Sequence, residues 1–119
     1  GFCLVGSEMC IRDRIKVVDW MKVQNYLSDA STVINATSLG MDGKADLPIP
    51  LQGLNKNTLV TDIVYTPLNT PLLENAAKRG CRTVDGLGML IHQAIPGFER
   101  WFGVKPDVSE NLRKLLISQ

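Results

Sequence analysis

Three short motifs carry the side chains in this sequence that are best suited to binding a polar ligand. They are NATSLGM at residues 35–41, DIVY followed by TPL at residues 62–68, and DGLGMLIHQ at residues 85–93. Their hydroxyl, phenol and carboxamide groups can donate and accept hydrogen bonds, and their glycines allow close approach of the backbone. Each motif lies at the end of a predicted strand, so the question is whether the fold brings the three together.

Predicted strands alternate with predicted helices along the chain. Strands are predicted at residues 15–19, 32–35, 58–64 and 81–84, and helices at residues 21–27, 71–79 and 87–102. A final helix is predicted to be capped by Asp107 or Ser109 and to run through Ile117. This alternation is typical of an α/β fold with a parallel sheet whose two faces are covered. In open α/β sheets, ligands bind at the carboxyl ends of the strands, where all three motifs fall. The pattern therefore predicts one shared crevice.

Capping residues mark the ends of the predicted helices. Thr70 is a suitable N-cap before Pro71, and Gly80 can take the left-handed conformation that ends that helix. Pro96 lies inside the next helix and cannot donate to the carbonyl of His92, which predicts a kink.

Composition favours one small globular domain without nucleic-acid or membrane partners. The chain has 119 residues, 21% of them charged, and a net charge of +1. Its apolar runs are shorter than the roughly 18 residues of a membrane span, so a cytoplasmic location is expected. The three cysteines, Cys3, Cys10 and Cys81, have no metal-ligand spacing, and no metal site is predicted.

The first fourteen residues, GFCLVGSEMCIRDR, have no clear period, helix cap or turn signal. Their apolar part is too short for a signal sequence and lacks a positively charged start. They look like translated adapter DNA, so we expect residues 1–14 to be a non-native leader.

Taken in this order, the three motifs resemble the C-terminal half of shikimate dehydrogenase, from about Ile15 to the end. The resemblance implies a partial Rossmann-type parallel sheet at residues 15–88, the C-terminal half of an NADP-binding domain. It implies that residues 89–119 form two trailing helices that pack against a substrate domain. The implied reaction is the NADPH-dependent reduction of 3-dehydroshikimate to shikimate, on the way to chorismate and aromatic amino acids.

The same resemblance implies roles for single residues. Tyr65 and Gln93 would bind the substrate. The cofactor would be contacted by five residues, namely Ile63, Gly86, Met89, Thr37 and Ser38. Of these, Ile63 would line the nicotinamide pocket, Gly86 would let the chain approach the ring, and Met89 would pack on it.

Structural explanations stand beside each of these roles. Hydroxyls after a strand, such as those of Thr37 and Ser38, commonly satisfy loop backbone groups. Tyr65 can pack in a core, and a glycine in a strand-to-helix turn such as Gly86 can serve unusual backbone angles. His92 points about 100° away from its neighbour Gln93 on a helix, so no acid–base role is assigned to it.

Several features of shikimate dehydrogenases have no counterpart in this sequence. The lysine–aspartate pair that handles the proton, the glycine-rich pyrophosphate loop and the basic 2′-phosphate motif are all missing, so no catalytic residue is predicted. We expect the isolated chain neither to turn over substrate nor to bind NADP tightly. A quinate/shikimate dehydrogenase that uses NAD, or a non-catalytic ligand-binding remnant, are the alternatives. The parent is expected to be a monomer or homodimer.

Overall fold

A computed structural model describes residues 14–119, and residues 1–13 of the predicted leader lie outside this part. The fold is α/β, with a three-stranded sheet and four helices. The elements in chain order are a 3₁₀ helix at Trp20–Asp29, β1 at Thr32–Asn35, β2 at Leu59–Asp62, α1 at Pro71–Lys78, β3 at Arg82–Val84, α2 at Gly86–Phe102 and α3 at Glu110–Ile117.

The sheet is parallel, as predicted, and its strands lie in the order β1-β2-β3. Asn35 pairs with Asp62, and Thr61 pairs with Val84, so the three strands end at one edge of the sheet. Parallel pairing requires the chain to return to the edge where the strands begin before each new strand. A loop does this between β1 and β2, and α1 does it between β2 and β3.

The prediction of a strand at residues 15–19 was wrong. This segment is irregular, and Val17 is 93% exposed. Its β-branched residues favour an extended backbone, but a strand also needs a neighbour that pairs with it. Among the described residues, only β1, β2 and β3 form a sheet.

The predicted capping residues lie at the helix ends: Thr70 and Ser109 cap N-termini, and Gly80 follows a C-terminus. The Thr70 hydroxyl accepts from the amide of Leu73, 3.4 Å away, and Gly80 has φ +84°. Ser109 caps α3 by accepting from the amide of Leu112. α2 continues through Pro96, and whether its axis bends there stays a prediction.

One face of the sheet is covered by the core. Leu27 of the 3₁₀ helix, Val60 of β2 and Leu73 of α1 are buried there, with five further residues: Leu51, Leu54, Leu72, Ala76 and Cys81. On the opposite face, Ile34 is 60% and Val84 is 49% exposed. The expectation that both faces would be covered was therefore wrong for the described part of the chain.

Candidate functional site

The sheet register brings the three motifs to the carboxyl ends of neighbouring strands, as predicted. The amide of Ile63 donates to the carbonyl of Asn35 over 3.1 Å, just after the last strand pair. Further along, the amide of Asp42 donates to the carbonyl of Thr66 over 3.0 Å. Backbone bonds thus hold the first and second motifs against each other.

Asp62 stands at the centre of this edge and is only 1% exposed. Its Oδ1 accepts from the Asn35 side-chain amide at 3.0 Å and from the backbone amide of Val64 at 2.9 Å. Its Oδ2 accepts from the Thr70 hydroxyl at 2.7 Å. A buried carboxylate must be matched by donors, and three donors meet this one. No role was predicted for Asp62 from the sequence, although a single carboxylate in an apolar strand was a usable signal.

Asn35 and Thr37 form the turn that follows β1. The Asn35 amide group donates to the carbonyl of Leu39 at 2.9 Å, and its oxygen accepts from the backbone amide and the hydroxyl of Thr37. The Thr37 hydroxyl also accepts from the amide of Leu39 at 3.1 Å. Thr37 therefore satisfies loop groups here, whereas Ser38 is exposed. Their contact with a cofactor stays a prediction.

Gly86 is required by close packing of the backbone. It does not have a positive φ, so the explanation by unusual backbone angles was wrong. A Cβ atom at Gly86 would lie 2.6 Å from the carbonyl carbon of Ile63 and 2.6 Å from the carbonyl oxygen of Val64. A Cβ at Gly88 would meet nothing within 4 Å. Gly86 thus allows the start of α2 to pack directly against the backbone of the chain that leaves β2.

Tyr65 is 44% exposed and lines an open groove of about 450 Å³. Leu87 and Leu90 of α2 form one wall of the groove, and Leu116 of α3 lies on it as well. The phenol is therefore available to a ligand beside a largely apolar wall, as the substrate-binding prediction needs.

Met89 and Gln93 are exposed on α2 and do not line the Tyr65 groove. They lie four positions apart and share one helical face, as the sequence predicts. That face is turned about 60° to 100° around the helix axis from Leu90, which does line the groove. A pocket shared by Tyr65 and Gln93 stays a prediction.

Asp85 and Arg113 join the two trailing helices. Asp85 caps α2, because its Oδ1 accepts from the amide of Leu87 at 3.1 Å. Its Oδ2 accepts from the Arg113 guanidinium of α3, and both side chains are about a quarter exposed. A carboxylate at a helix N-terminus is also favoured by the helix dipole. This pair was not foreseen from the sequence, since nothing local relates positions so far apart.

A second groove, of about 520 Å³, runs between α2 and α3. Its walls are almost wholly apolar, with Ile91, Ile95 and Phe98 on one side and Leu112 and Leu116 on the other. Phe98 is 41% and Leu116 is 42% exposed, although α3 turns its apolar residues toward α2. The two helices leave this surface uncovered within residues 14–119.

The described residues contain neither a metal-ion cluster nor a helix that could cross a membrane. Between residues 14 and 119, no three His, Cys, Asp or Glu side chains gather as they would around a metal ion. None of the helices in the same range has the length and apolar character needed to cross a membrane.

Comparison with known proteins gives a consistent result. The sequence model of the Shikimate 5'-dehydrogenase C-terminal domain matches residues 86–115. The NADP(+) shikimate dehydrogenase of Cereibacter sphaeroides is 57% identical over 105 residues, which are 88% of this chain and 38% of that enzyme. The chain thus spans well under half the length of this relative.

Solved structures of related dehydrogenases are also similar to this chain. Quinate dehydrogenase from Corynebacterium glutamicum, in complex with NAD, has a TM-score of 0.77 and 36% identity over 86% of this chain and 36% of its own. Shikimate 5-dehydrogenase from Thermus thermophilus, in complex with NADP(H) and shikimate, has a TM-score of 0.66 and 30% identity. That match covers 78% of this chain and 34% of the Thermus chain. This chain is therefore similar to part of the shikimate dehydrogenases, and residues 86–115 match their C-terminal domain.

Proposed function

We propose that this chain is the C-terminal part of an NADP-dependent shikimate dehydrogenase, which reduces 3-dehydroshikimate to shikimate. The observation that carries the proposal is the meeting of the three motifs at one sheet edge, with Gly86 seated on Ile63. The 57% identical relative is named for this activity and cofactor. The cytoplasmic location expected from the sequence stays a prediction.

The groups that face outward at this edge fit a dinucleotide and a hydroxylated acid. Ser38 and Met89 are exposed, and Ile63 is half-buried beside the start of α2. An apolar side chain, a thioether and a hydroxyl suit the nicotinamide end of NADPH, which would supply the hydride. Ile63 and Met89 would exclude water from one side of the ring, and Ser38 would donate to the ribose or carboxamide.

Tyr65 and Gln93 carry the substrate-binding part of the proposal. Each can both donate and accept, which suits a ring bearing several hydroxyls. Both side chains are exposed, so each is accessible to a ligand. They would orient the substrate carbonyl toward the hydride donor, and orientation is a large part of catalysis.

Proton transfer has no candidate in the described residues. His92 is exposed on a different helical face from Gln93, and the lysine–aspartate pair of the resembled family has no counterpart here. The acid–base group would come from the substrate domain of a complete enzyme. General acid–base catalysis typically contributes 10²- to 10⁴-fold, so the isolated chain should be inactive.

The α2–α3 groove supports the proposed domain arrangement. Residues 15–88 would form the C-terminal half of the cofactor domain, and the helices in residues 89–119 would pack on the substrate domain. An apolar groove of about 520 Å³ with Phe98 and Leu116 half-exposed is a surface that such a domain would cover.

A chimera tests the proposed function. Residues 15–119 would replace the matching part of the Cereibacter enzyme, and NADPH oxidation with 3-dehydroshikimate would be followed. We expect activity within about tenfold of the parent, and a fall of about tenfold for Y65F and for Q93A through loss of a substrate hydrogen bond. H92A, next to Gln93 on α2, is the matched control and should stay within about twofold.

The chimera also separates the alternatives. A preference for NAD and quinate would favour the quinate/shikimate alternative, and a folded but inactive chimera would contradict the proposal. Calorimetry of the isolated chain with shikimate tests the binding-module alternative. We expect no measurable heat, whereas clear binding would favour a module.

A further inference from the structure

The buried carboxylate of Asp62 takes no part in the proposed binding of substrate or cofactor. It is 1% exposed, and its three donors belong to three different segments of the chain. Asn35 is the last residue of β1, Val64 lies in the chain leaving β2, and Thr70 is the cap of α1. One side chain therefore fixes three segments relative to one another.

Two of these segments, the end of β1 and the chain leaving β2, lead directly to residues of the proposed site, and the third begins α1. Asn35 holds Thr37 through two hydrogen bonds, and Ser38 follows in the same turn. Val64 lies between Ile63 and Tyr65, and the backbone carbonyls of Ile63 and Val64 are the atoms against which Gly86 packs. A shift of the Asp62 carboxylate would therefore displace the loop after β1, the loop after β2 and the first turn of α2.

We propose that Asp62 is a positioning residue, whose carboxylate sets the relative placement of the two loops and the α2 start that form the proposed site. This inference rests on the proposed function for its catalytic meaning. Its physical content, the coupling of three segments through one carboxylate, does not depend on any ligand. Misplacement of reacting groups by about 1 Å can cost 10²-fold in rate, so such coupling matters in a complete enzyme.

A threonine at the other end of β2 provides a matched control. Thr58 is 1% exposed and its hydroxyl donates to the carbonyl of Ala30 at 2.8 Å. Thr70 is fully buried and its hydroxyl donates to Asp62 at 2.7 Å. T58V and T70V remove the same group from equally buried sites, but only T70V deprives Asp62 of a donor.

The test is backbone amide NMR of the ¹⁵N-labelled 119-residue chain without ligand. In D62N and T70V, we expect the amides of Thr37, Val64 and Gly86 to shift together. We expect their hydrogen exchange to accelerate by about tenfold, since a buried hydrogen bond is lost. T58V should leave these three amides unchanged, and T70S, which keeps the hydroxyl, should restore the wild-type spectrum.

Two results would overturn the inference. In one, T58V shifts the three amides as much as T70V does at a similar loss of stability. In the other, D62N or T70V alters only its immediate neighbours and leaves Thr37 and Gly86 in place. If D62N does not fold, T70V and T70S still decide the question. Failure of the proposed function would appear in the chimera assay instead, independently of these spectra.

Discussion

The strand-end network and the exposed surface of α2 and α3 are built in opposite ways. In the network, Asn35, Asp62 and Thr70 are almost fully buried, and every buried side-chain donor and acceptor in the described part of the chain has a partner. On the helices, Met89 is 41% exposed and Trp101 is 80% exposed. Within residues 14–119, the first region satisfies all of its buried polar side-chain groups, while the second presents apolar surface that these residues do not cover.

This difference shows which part of the proposed site the chain can build alone. Buried polar groups must find partners, so the network fixes the backbone of the loops without outside help. The residues proposed to meet ligands, such as Tyr65 and Gln93, lie where no described contact fixes them. We therefore expect the framework to be rigid in the isolated chain and the binding surface to need the rest of an enzyme.

The largest expected contrast is between a core leucine and a groove leucine. Leu73 is 3% exposed in the core, whereas Leu116 is 42% exposed in the α2–α3 groove. L73A should lower the free energy of unfolding by about 3 kcal/mol, because it leaves a cavity. L116A should lower it by less than about 1 kcal/mol, since its side chain is half in water already. Urea denaturation measures both, and equal losses would mean that the groove is covered in solution.

The next contrast compares two glycines in the first turn of α2. G86A forces a Cβ against the carbonyl groups of Ile63 and Val64, and we expect a loss of about 2 kcal/mol. G88A enters open space and should raise stability slightly, by up to about 1 kcal/mol, because alanine favours helix. Thermal unfolding of the two variants measures the difference. A G86A protein as stable as G88A would show that α2 does not sit on the strand end.

A smaller contrast lies in the pair that joins α3 to the site. D85A removes both the cap of α2 and the partner of Arg113, and should cost about 1 to 2 kcal/mol. R113A removes only the partly exposed pair and should cost roughly 0.5 kcal/mol. Urea denaturation again provides the measurement, and a larger loss in R113A would show that α3 contributes more than this pair.

The smallest expected effect is a pH dependence on α1. Lys78 donates to Glu74 and attracts its charge, which lowers the pKa of this exposed carboxyl below its usual 4.5. The stabilisation is therefore present above the unfolded-state pKa and is lost as the pH falls through the lowered folded-state pKa. The difference in melting temperature between wild type and E74Q should shrink on acidification below about pH 4.5. A difference that stays constant down to pH 2 would contradict this assignment.

Local signals predicted much of the fold. The caps Thr70 and Ser109 and the β-branched runs at β1 and β2 act within a few residues, so sequence reasoning found them. Residues 15–19 were assigned to a strand wrongly because pairing depends on distant chain segments. For the same reason, the hydrogen bonds of Asp62 were not predicted, because their donors lie 27 residues before it and 8 residues after it. The reason for a glycine at position 86 was also missed, because the backbone atoms that it packs against belong to Ile63 and Val64, which are distant in sequence.

The most direct test of the central claim is a double-mutant cycle between Tyr65 and Gln93 in the active chimera. The values of kcat/KM for 3-dehydroshikimate would be compared among the parent chimera, Y65F, Q93A and the double variant. If both side chains hold one substrate, the two effects should be non-additive by at least about 0.5 kcal/mol. Additive effects within about 0.3 kcal/mol, with Q93A no more harmful than H92A, would contradict a site shared by the end of β2 and the exposed face of α2.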